Sequence, residues 1–488
     1  MDQKNQELLW QCREILSPLP EDFAAQELLI GLLLACHTAS AFQRAHQAIE
    51  AMGGNPEDPE AYPARGVLFL PAEFRWEKLK TPPWDVEAGL LTFLTSIERR
   101  IPALRGAVQP LLWAHRFRPE QLERLLEISD VWYRRSLSGS LDFPELLEGV
   151  LNWVPYESAE KRFFTPREVA RLLARLLRPE GGGLYDPCCG GGLLAALGED
   201  LTLRRRQFTL YGHERDERIW KIAKIDLYFR GFPAELEDRP ADALALSPDE
   251  LPKADVVLGN PPYNSKWYQG EEAPAMDPRW KYGLPPKGNG NLAWLQHMLY
   301  TLNNPGVMSV VLNTSSLSSL NAAETGIRRG IVKDGLLEAV LLMPSGMFYG
   351  TNTAVSIWIL RKGGEGARTL MLDARELGVP AGNRLTLDET GQQRILNAWQ
   401  EFSRGGDPAE AGFCAVVEPR DIAERSWTLD PRKYIAYPPP PLPSWEELEE
   451  KDARLSRELG ELLAENREIL RRIRQVWEGA EEHEPGSI

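Results

Sequence analysis

Ala254-Asp255-Val256-Val257-Leu258-Gly259-Asn260-Pro261-Pro262-Tyr263 reads as a buried strand that ends in an amide, two prolines and an aromatic ring. On either side of it the same texture recurs, with short apolar runs alternating with helical segments: Gly183 to Asp186, Phe208 to Gly212, Val307 to Leu312, Leu336 to Leu342 and Val355 to Leu360. That alternation predicts an α/β fold with a mostly parallel, doubly wound, Rossmann-like sheet. Residues 1–150 lack any sustained strand pattern and predict an all-helical domain, with amphipathic stretches at Leu8 to Leu16, Ala24 to His37, Val86 to Ile101 and Pro119 to Ile128. The sheet domain is expected over 151–437, and a Pro-rich spacer with a terminal helix over 438–488.

The C-terminal segment has its own logic. Tyr437-Pro438-Pro439-Pro440-Pro441-Leu442-Pro443 cannot propagate a helix. Ser444 and Glu447 then form a capping box. Leu448, Leu455, Leu459, Leu462, Ile469, Ile473 and Val476 fall on one four-three seam, with Asp452 and Asn466 at its remaining positions. This is coiled-coil spacing, and it predicts a partner helix.

Composition narrows the classes. A chain of 488 residues, 43% of them hydrophobic, can bury sizeable cores. Its longest apolar stretch near the N-terminus, Leu28 to Cys36, is too short to span a bilayer, and with no basic or cleavable leader before it the expectation is cytoplasmic, with no membrane association. Cys12, Cys36, Cys188, Cys189 and Cys414 show no paired metal spacing and the six histidines are scattered, so no metal is expected. A net charge of −15 opposes unaided binding to a polyanion, so any grip on nucleic acid is expected to come largely from another subunit.

The candidate site residues fall where ligands sit in open α/β sheets, at the carboxyl ends of strands. The first strand ends in Asp186-Pro187-Cys188-Cys189-Gly190-Gly191-Gly192, whose glycines let the backbone approach a ligand. The second ends in His213-Glu214, where a carboxylate can accept both hydroxyls of a ribose; a helix-capping role explains such a carboxylate equally well. Asp242 is either an acceptor for an adenine amino group or an ordinary turn aspartate. The chain lacks a GxxxxGK[ST] loop and a complete GxGxxG fingerprint, which argues against nucleoside triphosphates and dinucleotides. One ribose and one adenine without phosphates fits S-adenosylmethionine. The tetrad Asn260, Pro261, Pro262 and Tyr263 is suited to a planar amine: the side-chain oxygen of Asn260 and the carbonyl of Pro261 can accept its two hydrogens while Tyr263 stacks on the base.

These motifs, in this order, resemble those of N6-adenine DNA methyltransferases, and most nearly the modification subunit of type I restriction-modification systems. The likeness rests on the tetrad, the Asp186-Pro187 glycine turn, Glu214 and Phe163-Phe164-Thr165-Pro166-Arg167. It extends to Val67-Leu68-Phe69-Leu70-Pro71, to Pro102-Ala103-Leu104-Arg105-Gly106, and to Met343-Pro344-Ser345-Gly346-Met347-Phe348 with Thr351-Asn352-Thr353. By that resemblance Phe163, Phe164, Thr165 and Pro166 wrap the methionine end of the cofactor. Asp186, Cys188, Cys189, Gly190 and Gly191 line its amino-acid portion, Glu214 holds the ribose and Asp242 the adenine.

The resemblance further implies double-stranded DNA as substrate, with the target base flipped into the site. It implies a specificity subunit docked on the C-terminal helix, a restriction subunit as a further candidate, and a hetero-oligomer with two copies of this chain. Protein-glutamine methyltransferases share the tetrad and remain the alternative, as does a solitary DNA adenine methyltransferase that needs no specificity subunit. The family more often carries a smaller residue where this chain has Cys188 and a hydroxyl residue where it has Gly191.

Overall fold

The computed structural model describes residues 2–16, 22–79, 86–108, 117–151, 165–178, 181–190, 208–232, 234–267, 276–348, 353–364, 368–382, 384–438 and 444–481. Phe163, Phe164 and Gly191 lie outside them. The chain divides into two compact units, Met1–Ala436 and Tyr437–Ile488.

Within the first unit the strands are β1 (Gly182–Asp186), β2 (Phe208–Gly212), β3 (Ala234–Glu235), β4 (Ala254–Gly259), β5 (Leu302–Asn313), β6 (Leu337–Leu342), β7 (Val355–Lys362), β8 (Thr369–Asp373), β9 (Gly378–Ala381), β10 (Arg384–Leu387) and β11 (Cys414–Val417). Nine of them form one sheet in the order β11-β8-β6-β7-β5-β4-β1-β2-β3, while β9 and β10 make a separate antiparallel hairpin. The sheet is mixed. β1 to β5 pair in parallel, as do β6 and β8, whereas β7 runs antiparallel to both β5 and β6, and β11 runs antiparallel to β8.

Both faces of the sheet are covered, which explains why its strands read as near-continuous apolar runs. Alternate residues serve opposite cores: Val256, Leu258, Ala339, Leu341, Ile357 and Ile359 face one, and Val257, Val340, Leu342, Trp358 and Leu360 the other. The first core is closed by the helices Arg167–Leu177 and Glu389–Ser403, the second by Asn291–Thr301 and Ala322–Lys333.

Helices Gln3–Leu16, Asp22–Ala51, Val86–Arg100, Pro119–Leu137 and Phe143–Leu151 build the N-terminal core. Helix Glu217–Phe229 belongs to both sides, giving Ile219, Ile222 and Ile225 to this core and Ala223 and Leu227 to the sheet. Helix Asp22–Ala51 is longer than Leu28 to Cys36 suggests. Its stretch Ala25–Ala51 is long and apolar enough to cross a bilayer, yet 83% of its most apolar part is buried in the fold. It is the central helix of the N-terminal core.

In the second unit, helix Trp445–Glu481 starts at the predicted capping box: Ser444 N donates to Glu447 Oε2 (2.8 Å) and Glu447 N to Ser444 Oγ (3.1 Å). The seam residues Leu448, Leu455, Leu459, Leu462, Ile469 and Ile473 are between 42% and 62% exposed.

Candidate active site

Of the predicted residues, those that follow β1, β2 and β4 come together because these strands run parallel, β1 between the other two, and their carboxyl ends share one edge of the sheet. β1 ends at Asp186, whose carboxylate caps its own turn: Oδ1 accepts Cys188 N at 3.0 Å. Oδ2 is buried without a partner among the described residues. Burial pushes this carboxyl up to about 8. The main chain knits β1 to β2, with His213 N donating to Asp186 O (3.1 Å) and Cys189 N to His213 O (2.9 Å). Below them Tyr185 Oη lies 2.9 Å from His213 Nδ1, and burial holds that imidazole below its usual range.

Glu214 is nearly buried and accepts Gly190 N on Oε2 (3.1 Å) and Asp216 N on Oε1 (2.9 Å). Its pKa is raised by burial, which outweighs those backbone bonds. Each carboxylate oxygen keeps a second lone pair, so two further donors such as vicinal hydroxyls can be received. The next main-chain link, Ala241 N to Glu214 O (2.8 Å), fixes the turn that carries Asp242. Asp242 Oδ1 caps Leu244 N at 3.1 Å, and Oδ2 lies 3.6 Å from Arg215 Nη1. Asp242 is thus a turn aspartate that also lines a cavity.

That cavity, about 470 Å³, is lined by Cys188, Gly190, Glu214 and Asp242 together with Asn260, Pro261, Pro262 and Tyr263. β4 places the tetrad. Asn260 Nδ2 donates to Thr165 Oγ1 (3.2 Å), while its oxygen accepts the hydroxyl of Tyr263. The Tyr263 ring packs partly buried against the sheet core, and burial raises its phenol. Thr165 thus joins the site through Asn260, and Pro166 caps helix Arg167–Leu177. Asp186 and Cys189 are buried behind the wall.

Further wall residues escaped the sequence reading: Arg215, Trp267, Trp294, Asn313, Phe348 and Thr353. Phe348 and Thr353 stand in a motif stretch that carried no assigned role, and Trp294 lies on a helix whose sequence reads only as core. Behind Asp242, the buried Arg279 donates through Nη1 to Leu244 O (3.2 Å) and Ala243 O (3.5 Å), and its Nε sits 3.0 and 2.9 Å from the two oxygens of Asp277.

The N-6 DNA methylase family profile matches residues 142–439. The HindI type I restriction enzyme methylase subunit of Haemophilus influenzae is 32% identical over 288 residues, which are 56% of this chain and 63% of that one. The MjaIX methylase subunit of Methanocaldococcus jannaschii is 26% identical over 474 residues, 88% of this chain and 83% of that one. Among solved structures, the type I restriction-modification methyltransferase subunit from Streptococcus thermophilus shares the fold with a TM-score of 0.74 at 20% identity, covering 89% of this chain and 99% of that one. Profile, relatives and sheet topology agree, and the chain belongs to the N-6 DNA methylase family.

Proposed function

We propose that this chain is the modification subunit of a type I-like restriction-modification complex and moves a methyl group from S-adenosylmethionine to the N6 of an adenine flipped out of double-stranded DNA. The observation that carries the reading is that Asn260 and Pro261 share one cavity with Glu214 and Asp242. An amine-gripping pair and a nucleoside-gripping pair of carboxylates therefore face the same space.

The residues present fit the cofactor. The unpartnered Oδ2 of Asp186 suits the ammonium of an amino-acid tail, Glu214 retains lone pairs for ribose hydroxyls, and Asp242 offers an acceptor to an adenine amine. When bound, S-adenosylmethionine supplies an electrophilic methyl group on a sulfonium.

The tetrad does the rest. The Asn260 oxygen and the Pro261 carbonyl accept the two amine hydrogens and draw the nitrogen lone pair out of conjugation with the purine. Tyr263 replaces part of the stacking lost on flipping. Because Asn260 is tied to Thr165, its amide enters the reaction already oriented.

Residues 151–437 form the methyl-transfer domain of this reading, 1–150 a helical domain beside it, and 438–488 the spacer and docking helix. The apolar seam of helix Trp445–Glu481 receives a specificity subunit, which supplies sequence choice and much of the hold on DNA. A restriction subunit and a second copy of this chain complete the assembly, which works in the cytoplasm.

The test is labelled-methyl transfer by the purified complex, offered DNA and protein substrates side by side. Label at adenine N6 that disappears with Asn260→Ala, while cofactor binding survives, supports the reading. Label on glutamine, or an Asn260→Ala variant with normal turnover, overturns it.

A further inference from the structure

A few residues along the chain from the cavity wall, one large aliphatic side chain stands almost wholly in solvent. β5 delivers Asn313 to the cavity wall, the chain makes the single helical turn Ser315–Ser318, and it then reaches Leu320, which is 93% exposed. Four of the residues between Asn313 and Leu320 lie in that turn, so the two are within about 20 Å of each other. An isolated exposed leucine is ordinary; the mounting of this one is not.

Arg328 is 1% exposed and directs its guanidinium at the main chain under the tip, with Nη1 on Ser316 O (3.1 Å), Nη2 on Ser319 O (2.6 Å) and Nε on Trp427 O (3.0 Å). Asn321 closes the far side by capping Ala323 N (3.0 Å) and Glu324 N (3.3 Å). The tip is also wired to the tetrad loop. Asn291, 0% exposed, donates through Nδ2 to Ser316 Oγ (2.9 Å) and to Asn264 Oδ1 (3.0 Å), and accepts Asn264 N (2.8 Å). Asn264 directly follows Tyr263. Finally, the chain from Asn313 to Ala323 contains no charged residue, although the protein carries a net charge of −15. A phosphate backbone can approach this tip without meeting a carboxylate on it.

We propose that Leu320 is a DNA wedge: its side chain enters the duplex beside the target base pair and occupies the gap left by the extruded adenine. The inference rests on the adenine-methylation reading above. Extrusion costs pairing and stacking, and rigidly mounted apolar side chains, leucine among them, are used to pry base steps apart. A wedge must be apolar, exposed, held firmly and tied to the pocket that receives the base. Leu320 meets all four conditions.

The experiment uses the complex of this chain with its specificity subunit and a synthetic duplex carrying the site that the complex methylates, identified by sequencing modified host DNA. Leu320→Ala is compared with the parent on the fully paired duplex and on the same duplex with an abasic site opposite the target adenine. The expected result is a loss of about tenfold or more in kcat/KM on the paired duplex and recovery to within about threefold on the abasic one, where extrusion is already eased. Cofactor affinity and complex assembly stay unchanged. Equal rates on the paired duplex overturn the wedge. So does a loss that persists on the abasic duplex together with weakened assembly, which makes the tip a protein contact. A parent complex that leaves every adenine unmodified instead overturns the activity on which the wedge depends.

Discussion

The hydroxyl of Tyr263 donates to the side-chain oxygen of Asn260, so the acceptor proposed for the target amine is held by its own neighbour in the tetrad. That oxygen has a second lone pair, and the ring, not the hydroxyl, is the part that stacks on a base. Tyr263→Phe is therefore expected to keep kcat within about threefold of the parent, whereas Tyr263→Ala, which loses roughly 1–3 kcal/mol of stacking, raises the KM for DNA about 5- to 150-fold. Steady-state kinetics on duplex DNA separates the two; equal losses in both variants make the hydroxyl itself essential.

Asp186 gives the site a pH signature. Its folded-state carboxyl is raised from 3.8 to about 8 by burial, so the folded apoprotein favours the neutral acid. The contribution to stability is complete below pH 3.8 and declines as pH rises towards 8. Asp186→Asn removes this liability, and the apoprotein variant is expected to melt about 2–5 °C above the parent at pH 8, with no advantage at pH 4. A cofactor ammonium favours the ionised form, so parent cofactor binding should release a proton at pH 7 and tighten between pH 6 and 8. Calorimetry in buffers of different ionisation enthalpy measures that proton, and Asp186→Asn should abolish both the release and most of the affinity.

Arg279 and Asp277 support the turn of Asp242 from behind as a buried ion pair. Removing one partner of such a pair leaves an uncompensated charge and costs about 3–5 kcal/mol. Arg279→Met is expected to lower the melting temperature and, beyond that, to erode discrimination between S-adenosylhomocysteine and its inosine counterpart. A general loss of fold weakens both ligands alike, so the ratio of the two dissociation constants is the measurement that counts.

The exposed seam of helix Trp445–Glu481 predicts a clean separation of functions. Deleting residues 444–488 should abolish co-purification with the specificity subunit, and Leu455→Glu with Leu462→Glu should do the same in the full-length chain. Neither change should alter cofactor affinity, because Met1–Ala436 is a compact unit by itself. A complex that survives the deletion removes the helix from assembly.

Much of the sheet is legible because a strand covered on both faces must be apolar along its whole length. Phe208–Gly212 coincides with the predicted run, Leu337–Leu342 differs from its own by one residue, and Ala254–Gly259 ends directly before the tetrad. Strand direction is not legible, since burial is the same whichever way the chain runs; the reversed β7 looks in sequence like β5 and β6, which run the other way on either side of it. The stretch before residue 437 holds β8, β11 and the β9–β10 hairpin, and its short strands are too weakly patterned to separate from loop. In the site, residues adjacent to strand ends could be named from position alone. Trp294 and Arg279 could not, because their places depend on how a helix and a long loop fold back over the turn at Asp242.

The reversal of β7 also decides how many loops the site possesses. β7 begins with Val355 opposite Asn313, so the segment from Met343 to Ala354 both leaves β6 and enters β7 on the edge where β4 ends. Were β7 parallel, that segment would have to cross to the opposite edge, and Thr353 would be stranded a full strand length from the cavity it lines. One inverted strand thus turns an ordinary crossover into an additional wall for the ligand.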